Sequence, residues 1–383
     1  MQIITTTADL EELVLRFEKY PYFTIDTEFL RESTFWPILC LVQLATDDES
    51  AIVDPMADGI DLDPLFRLLQ NEDVLKVFHA GRQDLEIFHH LNGEVPKPIF
   101  DTQVAAMVCG FGESVGYDTL VSKITGKGID KSSRFTDWSR RPLSDRQLTY
   151  AEADVTHLRK VYKFLAKKLQ ERGREEWVTS EMEILRSPET YFVPPENAWQ
   201  RIKARNHHPK FLGLLQSVAA WRERQAHLQD IPRNRILRDE ALIEISSNPP
   251  KDADSLSHVR GIGHKFAEGR MGRGLLEAVQ EGVNLPADMA PQMKKKTPPP
   301  KGIGPLMELL RVLLKLRCEE NEVAQKLICN MADLEKIAAE DEADVPALKG
   351  WRRRVFGDDA LKLKNGEIAL SSEGGKIKII DLA

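Results

Sequence analysis

The segment from Tyr22 to Leu30 constrains the fold most, because it alternates apolar and acidic residues with the period of a β-strand. Phe23 and Ile25 fall on one side of such a strand, and Asp26 and Glu28 fall on the other. A strand here would bury one face and direct both carboxylates to the same side. The two acids could then share one cation or hold two.

A third acid follows a second predicted strand, which runs from Val74 to His79. Ala80 and Gly81 indicate a turn after that strand, and the apolar spacing beyond them predicts a helix. Asp84 then lies in the first helical turn, where the positive end of the helix dipole favours an anion.

The fourth acid and a phenol lie on one long predicted helix, which begins near Ser144 and continues past Lys168. Tyr150 and Asp154 are four residues apart, so both side chains project from the same face of that helix. The phenol and the carboxylate would be presented together.

Each motif alone has a simpler explanation. Alternating acids usually form the solvated face of a strand, and an acid early in a helix usually serves the cap or the dipole. A tyrosine four residues before an aspartate on a helix is usually a core residue next to a surface residue. Together, however, four carboxylates and a phenol on three elements are the groups that a two-metal phosphodiester-cleaving site needs. Their oxygen ligands suit Mg²⁺ or Mn²⁺.

These motifs, with the stretch Phe135-Thr-Asp-Trp-Ser-Arg-Arg-Pro-Leu143, resemble the tyrosine-bearing branch of the DEDD exonuclease superfamily and, within it, the bacterial ribonuclease D family. The sister branch places a histidine five residues before the last aspartate, and here that position is Thr149. The similarity covers nearly the whole chain and shows no departure at the five catalytic positions.

The resemblance implies a metal-dependent 3′→5′ exoribonuclease that releases 5′-mononucleotides and trims structured RNA with a free 3′ end, such as tRNA precursors. Two divalent cations would bind, with Asp26 bridging both, Glu28 and Asp154 completing one, and Asp84 holding the other mainly through water. Tyr150 would orient the attacking water, because a phenol with an ordinary pKa near 10 is a poor base at neutral pH. No small-molecule organic cofactor is implied. Candidate RNA contacts beside the acids are Thr27, His79 and Gln83.

Two other functions fit the residues. A DNA exonuclease would use the same acids, because none of the motifs visibly reads a 2′-hydroxyl. A catalytically silent RNA-binding scaffold could retain the acids without metals, although an intact set argues against it.

Composition is typical of a cytoplasmic protein of more than one domain, which we expect to be a monomer. Its 383 residues contain four cysteines without disulfide or zinc spacing, and no apolar run is long enough to predict a membrane span. The net charge of −7 argues mildly against a nucleic-acid binder.

The distribution of charge partly answers this objection. One acid-free basic stretch offers further candidate RNA contacts at Arg201, Lys203, Arg205 and Lys210. More arginines follow at 222, 224, 233, 235 and 238. Such runs are also common on solvated faces.

The predicted fold class is α/β plus all-α: a ribonuclease H-like mixed-sheet exonuclease domain over residues 1–190, followed by two small helical units. We expect strands near residues 22–29, 38–45, 50–54 and 75–79, with the second and third forming a meander. A basic, proline-rich linker at 291–301 separates the helical units, which span residues 191–290 and 300–383.

An internal repeat of about 80 residues supports this division. Leu214–Arg222 parallels Leu309–Arg317, and Val259–Gly261 parallels Leu348–Gly350. Both copies resemble the helicase-and-RNase-D C-terminal (HRDC) domain. We expect the units to grip RNA, although the second could instead pack as a structural cap. Gly261-Ile-Gly263 could cradle a phosphate, but such a short motif is more often a simple turn.

Overall fold

A mixed six-stranded sheet with strand order β1-β4-β3-β2-β5-β6 organises the first part of the chain. The structure is a computed structural model that describes residues 1–130, 132–286, 288–292 and 300–382. The strands of this sheet are β1 Gln2–Ile4, β2 Tyr22–Leu30, β3 Ile38–Ala45, β4 Ser50–Val53, β5 Leu75–Phe78 and β6 Ile99–Asp101. The helices around it are α1 Thr7–Phe17, α2 Asp63–Gln70, α3 Arg82–Asn92, α4 Thr102–Val108, α5 Tyr117–Thr125, α6 Asp145–Glu171 and α7 Glu175–Arg186.

The sheet pairing follows from the chain connections. β2, β3 and β4 form the predicted antiparallel meander, whereas β5 and β6 join beside β2 in parallel orientation. The four predicted strands are present, and the mixed sheet is confirmed. The three-residue strands β1 and β6 were not predicted, because such short strands carry almost no periodicity.

The first helical unit is built around one long helix. Its helices are α8 Pro209–Gln229, α9 Arg233–Ile236, α10 Asp239–Ser247, α11 Ala253–Ser257, α12 His264–Glu268 and α13 Arg270–Asn284. Short 3-10 turns at Pro188–Thr190 and Pro195–Arg201 connect it to α7, where prolines predicted a break.

The second unit repeats the same opening order of one long, one very short and one short helix. Its helices are α14 Ile303–Glu320, α15 Gln325–Ile328, α16 Met331–Ala339, α17 Gly350–Arg352 and α18 Asp358–Asn365, with a 3-10 turn at Pro346–Leu348 and a π-helical turn at Arg353–Gly357. The prediction that this unit is entirely helical was wrong, because β7 Ile368–Glu373 and β8 Lys376–Asp381 form an antiparallel hairpin. Residues 293–299 of the predicted linker lie outside the described residues.

The second helical unit packs directly on the exonuclease part of the chain. The rings of Trp177 on α7 and Trp351 on α17 stack at 4.3 Å and 10°. The backbone N–H of Ala324 donates to the carbonyl of Met107 at 3.0 Å. Buried leucines of α14 belong to the same apolar core as the sheet. These contacts correspond to the capping arrangement rather than to a freely adjusting unit.

The first helical unit contacts the loop between β2 and β3. Asp230 accepts hydrogen bonds from the backbone N–H groups of Phe35 at 3.1 Å and Trp36 at 2.9 Å. Trp36 also stacks on His90 at 4.0 Å. The unit is therefore anchored a few residues beyond Glu28.

Two findings concern the whole described chain. All four cysteines are free and buried, as expected from their spacing. Among the helices within the described ranges, none combines the length and apolarity needed to cross a membrane.

Candidate active site

Strand β2 presents the first two acids toward an open cavity. Asp26 and Glu28 are half-buried and face away from the buried Ile25, as strand alternation requires. The register between β2 and β3 shifts between Glu28 and Phe29. Such a bulge bends the strand locally and can redirect a side chain at a functional site.

Helix α6 brings the third motif against this strand. The Thr24 hydroxyl of β2 donates to the carbonyl of Val155 at 2.8 Å, which fixes α6 across the sheet. Ser144 caps the helix by a reciprocal capping box with Gln147, so the helix begins where it was predicted to. Asp154 therefore lies opposite the acids of β2.

A tight turn places Asp84 at the same cavity. An added Cβ at Gly81 would approach the side chain of Phe78 within 2.6 Å, so only glycine fits there. Asp101 accepts hydrogen bonds from the N–H groups of Ala80 at 3.1 Å and Gly81 at 2.9 Å, which holds the turn at the start of α3. Asp84 is buried in the first turn of α3, as predicted.

The three motifs converge. One carboxylate oxygen from each of Asp26, Glu28 and Asp154 lies within 4.8 Å of the other two. Asp84 lines the same cavity, of about 540 Å³, and accepts a hydrogen bond from the Thr27 hydroxyl. Residues separated by more than a hundred positions thus form one acidic cluster.

This cluster is electrostatically unfavourable without a cation. Burial and then repulsion from Asp154 raise the pKa of Glu28 to about 9, and burial raises the pKa of Asp154 to about 7. Burial, then repulsion from the neighbouring carboxylates, raises the pKa of Asp26 well above its ordinary value. Burial also raises the pKa of Asp84 to about 6, although the hydrogen bond from Thr27 opposes this rise. All four groups can ionise together only if positive charge enters the cavity.

Tyr150 lies beside Asp154 on the same face of α6, and its hydroxyl interacts with that carboxylate. Burial, then repulsion from nearby carboxylates, raises the pKa of Tyr150 above its ordinary value, so the phenol keeps its proton at neutral pH. Its ring lies 6.0 Å from that of buried Trp138. The Arg141 guanidinium donates to the Trp138 carbonyl at 2.8 Å and to both carboxylate oxygens of Asp54. This network holds the segment that packs on Tyr150.

The candidate RNA contacts fall into two groups. Thr27, His79 and Gln83 line the cavity of the acids. Half-buried His79 contacts the Thr102 hydroxyl through Nδ1 at 3.0 Å, while its buried Nε2 has no partner among the described residues. The four basic candidates do not line this cavity, although all are exposed: Arg201, Lys203, Arg205 and Lys210. Arg201 lines a separate cavity of about 300 Å³ between the first helical unit and the β2–β3 loop.

Several cavity residues were not identified from the sequence as site residues. Besides the predicted residues, the cavity is lined by Phe29, Ala80, Gln103, Gly116, Tyr117, Asp118, Ile129, Arg134, Phe135 and Leu158. Phe135 belongs to the stretch that carried the family resemblance, so that stretch was the available signal. Tyr117 donates to backbone carbonyls of α6, including that of Ala153 at 3.2 Å, and thereby braces the helix that carries Asp154.

Comparisons with known proteins agree with this site. The 3′-5′ exonuclease family profile matches residues 1–170, and the HRDC domain profile matches residues 211–279. Ribonuclease D of Gluconacetobacter diazotrophicus is 50% identical over 378 residues, covering 99% of this chain and 96% of that protein. Ribonuclease D of Granulibacter bethesdensis is 51% identical over 379 residues, with the same coverage.

A solved structure extends the match to the fold. Escherichia coli RNase D, described as an exoribonuclease involved in structured RNA processing, superposes with a TM-score of 0.81 at 30% identity. The alignment covers 95% of this chain and 98% of that one. The chain belongs to the ribonuclease D family and is a 3′→5′ exoribonuclease.

Proposed function

We propose that this exoribonuclease trims the 3′ ends of structured RNA, such as tRNA precursors, and releases 5′-mononucleotides at the cavity of the four acids. The observation that carries the proposal is the approach of three carboxylates, from β2 and α6, within 4.8 Å. The RNase D of known structure supports the substrate class, since it acts in structured RNA processing. The test is to incubate a 3′-extended tRNA with the protein and Mg²⁺ or Mn²⁺. We expect nucleotides to be removed stepwise from the 3′ end. An RNA that is not shortened would overturn the proposal.

The acidic cluster fits divalent cations. Its donors are all carboxylate oxygens, which are ligands for hard ions such as Mg²⁺ or Mn²⁺. We propose that Asp26, Glu28 and Asp154 hold one ion and that Asp84, with Asp26, holds a second. Two such ions, when bound, stabilise the charge that develops on the attacking and leaving oxygens of an in-line displacement.

The chain's own residues would orient the reaction. Tyr150, protonated and directed at Asp154, would donate or accept one hydrogen bond that fixes the attacking water. Thr27 holds Asp84 in place through its hydroxyl. His79 lines the same cavity and would contact the RNA there. Burial lowers the pKa of His79, so its ring is neutral there.

Cation binding should depend strongly on pH. In the metal-free protein the raised carboxyl pKa values, up to about 9 for Glu28, exceed the unfolded value of about 4. The folded chain therefore binds more protons across this window, and its stability should fall as pH rises through it. Cations displace those protons, so their apparent affinity should rise with pH.

Thermal unfolding with and without Mn²⁺, at pH about 6 and about 8, measures this linkage. The stabilisation by Mn²⁺ should be larger at the higher pH and should be lost in Asp26→Asn. Equal stabilisation at both pH values would contradict coupled proton release.

We also propose the domain limits 1–190, 191–290 and 300–383, with the first helical unit gripping RNA and the enzyme acting as a cytosolic monomer. The contacts of the second unit support a capping role for it. A single peak of monomer mass in size-exclusion chromatography tests the monomer proposal.

The arginines of the first unit differ in their pairing. Arg222 is buried and paired with Asp239 at 2.7 Å, Arg224 pairs with Glu196, and Arg233 pairs with Glu223. All three are therefore engaged in ion pairs within this part of the chain.

Three other arginines are better placed for RNA. Arg235, Arg238 and Arg260 are exposed, form no ion pair with the described residues, and line one groove of about 590 Å³. Gly261, part of the candidate phosphate turn, lies in the same groove with a positive φ of 86°. We propose that this groove binds RNA phosphates.

Replacing all three groove arginines by alanine should raise the KM for tRNA-sized substrates and leave the hydrolysis of short RNA unchanged. In a plot of the logarithm of the binding constant against the logarithm of the salt concentration, the slope should become shallower by roughly 0.7 for each lost single-strand contact. Arg224→Ala is the matched control, because it removes a surface arginine of the same unit that is already paired. Equal salt slopes for the triple variant and wild type would exclude the groove.

A further inference from the structure

Phe135 is turned into solvent at the edge of the active-site cavity. At 90% exposure it is the most exposed large apolar side chain in the described part of the chain. The flanking residues Arg134, Thr136 and Asp137 are also exposed, whereas Ser133 and Trp138 on either side of them are buried, at 4% and 2% exposure. Burying a phenylalanine side chain stabilises a fold, so the exposure of Phe135 forgoes that contribution.

The backbone around Phe135 is firmly held. Thr136 donates to the Ser133 carbonyl through its N–H at 3.2 Å and its hydroxyl at 2.7 Å, which closes a turn around Phe135. The Gln147 amide of α6 donates to the Thr136 hydroxyl at 3.3 Å. The exposure of the ring is therefore imposed by an anchored turn.

The surroundings of the ring indicate what it could bind. Phe135 lines the same cavity as Asp26 and Tyr150. The Arg134 guanidinium lies over the ring, 5.2 Å from its centroid, which leaves the opposite face open. Arg134 is the one lysine or arginine among the described residues that line this cavity, and no described residue forms an ion pair with it. An open aromatic face beside an unpaired cation suits a nucleotide, which offers a flat base and a phosphate.

We propose that Phe135 stacks against one unpaired base near the 3′ end of the RNA and that Arg134 contacts a phosphate of the same strand. The proposal rests on the RNA end entering the carboxylate cavity. Stacking accepts any base, because every base has a π-face. The pair would thus add affinity for single-stranded ends without sequence preference.

Variants at this position separate stacking from a structural role. Phe135→Ala should raise the KM and the Kd for single-stranded RNA roughly 5- to 150-fold, the effect of losing one base stack, with kcat nearly unchanged. Phe135→Trp should keep both constants close to wild type. Phe164→Ala is the control, since Phe164 is also exposed, lies further along α6, packs on Phe111 and does not line the cavity.

RNA with one abasic nucleotide at successive positions from the 3′ end tests the contact itself. The wild-type protein should bind more weakly when the abasic nucleotide stands at one particular position than when the RNA is intact. Phe135→Ala should show no further loss of affinity when the abasic nucleotide stands at that position. The same abasic penalties in both proteins, or an unchanged Kd in Phe135→Ala, would overturn the proposal. Kd values are measured by anisotropy in an Asp26→Asn background, so they do not require cleavage. Failure of the wild type to shorten RNA would count against the proposed function, whereas these binding results decide the stacking contact alone.

Discussion

Asp26→Asn should reduce RNA shortening by at least roughly 10³-fold under saturating Mn²⁺, beyond the loss expected for one group that stabilises a transition state. Asp26 lies in the middle of the acidic cluster, and an amide oxygen cannot supply the charge that cations require there. Single-turnover cleavage of a 5′-labelled RNA measures the effect. Wild-type turnover in this variant would remove Asp26 from the reaction.

The same substitution should stabilise the metal-free fold. Burial and neighbouring carboxylates raise the pKa of Asp26, so an ionised Asp26 opposes folding and a neutral amide does not. We expect a gain of roughly 0.5–2 kcal/mol in unfolding free energy with EDTA at pH about 8.

Asp101→Asn is the matched control for stability. Asp101 is also buried, but its carboxylate accepts the backbone N–H groups at the start of α3. Its replacement should cost roughly 1–3 kcal/mol, as for a buried group that loses its partners. If Asp26→Asn destabilised the protein as much as Asp101→Asn does, Asp26 would be structural.

Tyr150→Phe should slow single-turnover cleavage by roughly 10²–10⁴-fold, the range for a group that positions or handles a proton. The affinities for Mn²⁺ and RNA should stay close to wild type, because only the hydroxyl beside Asp154 is removed. The loss should therefore appear in kcat rather than in KM.

Tyr162→Phe provides the comparison on the same helix. Its ring packs on Tyr22 at 4.6 Å, away from the cavity, so its rate should not change. An unchanged rate in Tyr150→Phe as well would mean that Tyr150 only packs against Trp138.

The catalytic motifs could be predicted from the sequence because each one obeys a local period. Alternation along β2 fixed the side of Asp26 and Glu28, and the four-residue spacing on α6 fixed the side of Tyr150 and Asp154. Their convergence needed tertiary contacts, such as the bond from Thr24 to Val155, that no local pattern reports.

Features that depend on partners distant in sequence were missed. The hairpin β7–β8 lies beyond the part where the two repeats resemble each other, so the repeat suggested only helices. The docking of Trp351 on Trp177 is likewise invisible in either segment alone.

The pairing of charged side chains was the property that was hardest to predict from the sequence. Arg233 and Arg235 look alike in the sequence, yet among the described residues Arg233 pairs with Glu223 at 2.7 Å, whereas Arg235 forms no ion pair. Phe135 presents a similar case, because its exposure results from a turn closed by Ser133 and Thr136. Pairing and exposure are properties of the assembled fold.

The most direct test of the central claim uses a 5′-labelled RNA with an unpaired 3′ tail, resolved on a sequencing gel. With Mg²⁺ or Mn²⁺ the wild type should give a ladder that shortens one nucleotide at a time from the 3′ end, and Asp26→Asn should leave the RNA intact. Internal cuts, shortening from the 5′ end, or an undiminished ladder in EDTA would contradict a metal-dependent 3′→5′ exoribonuclease at this acidic cluster.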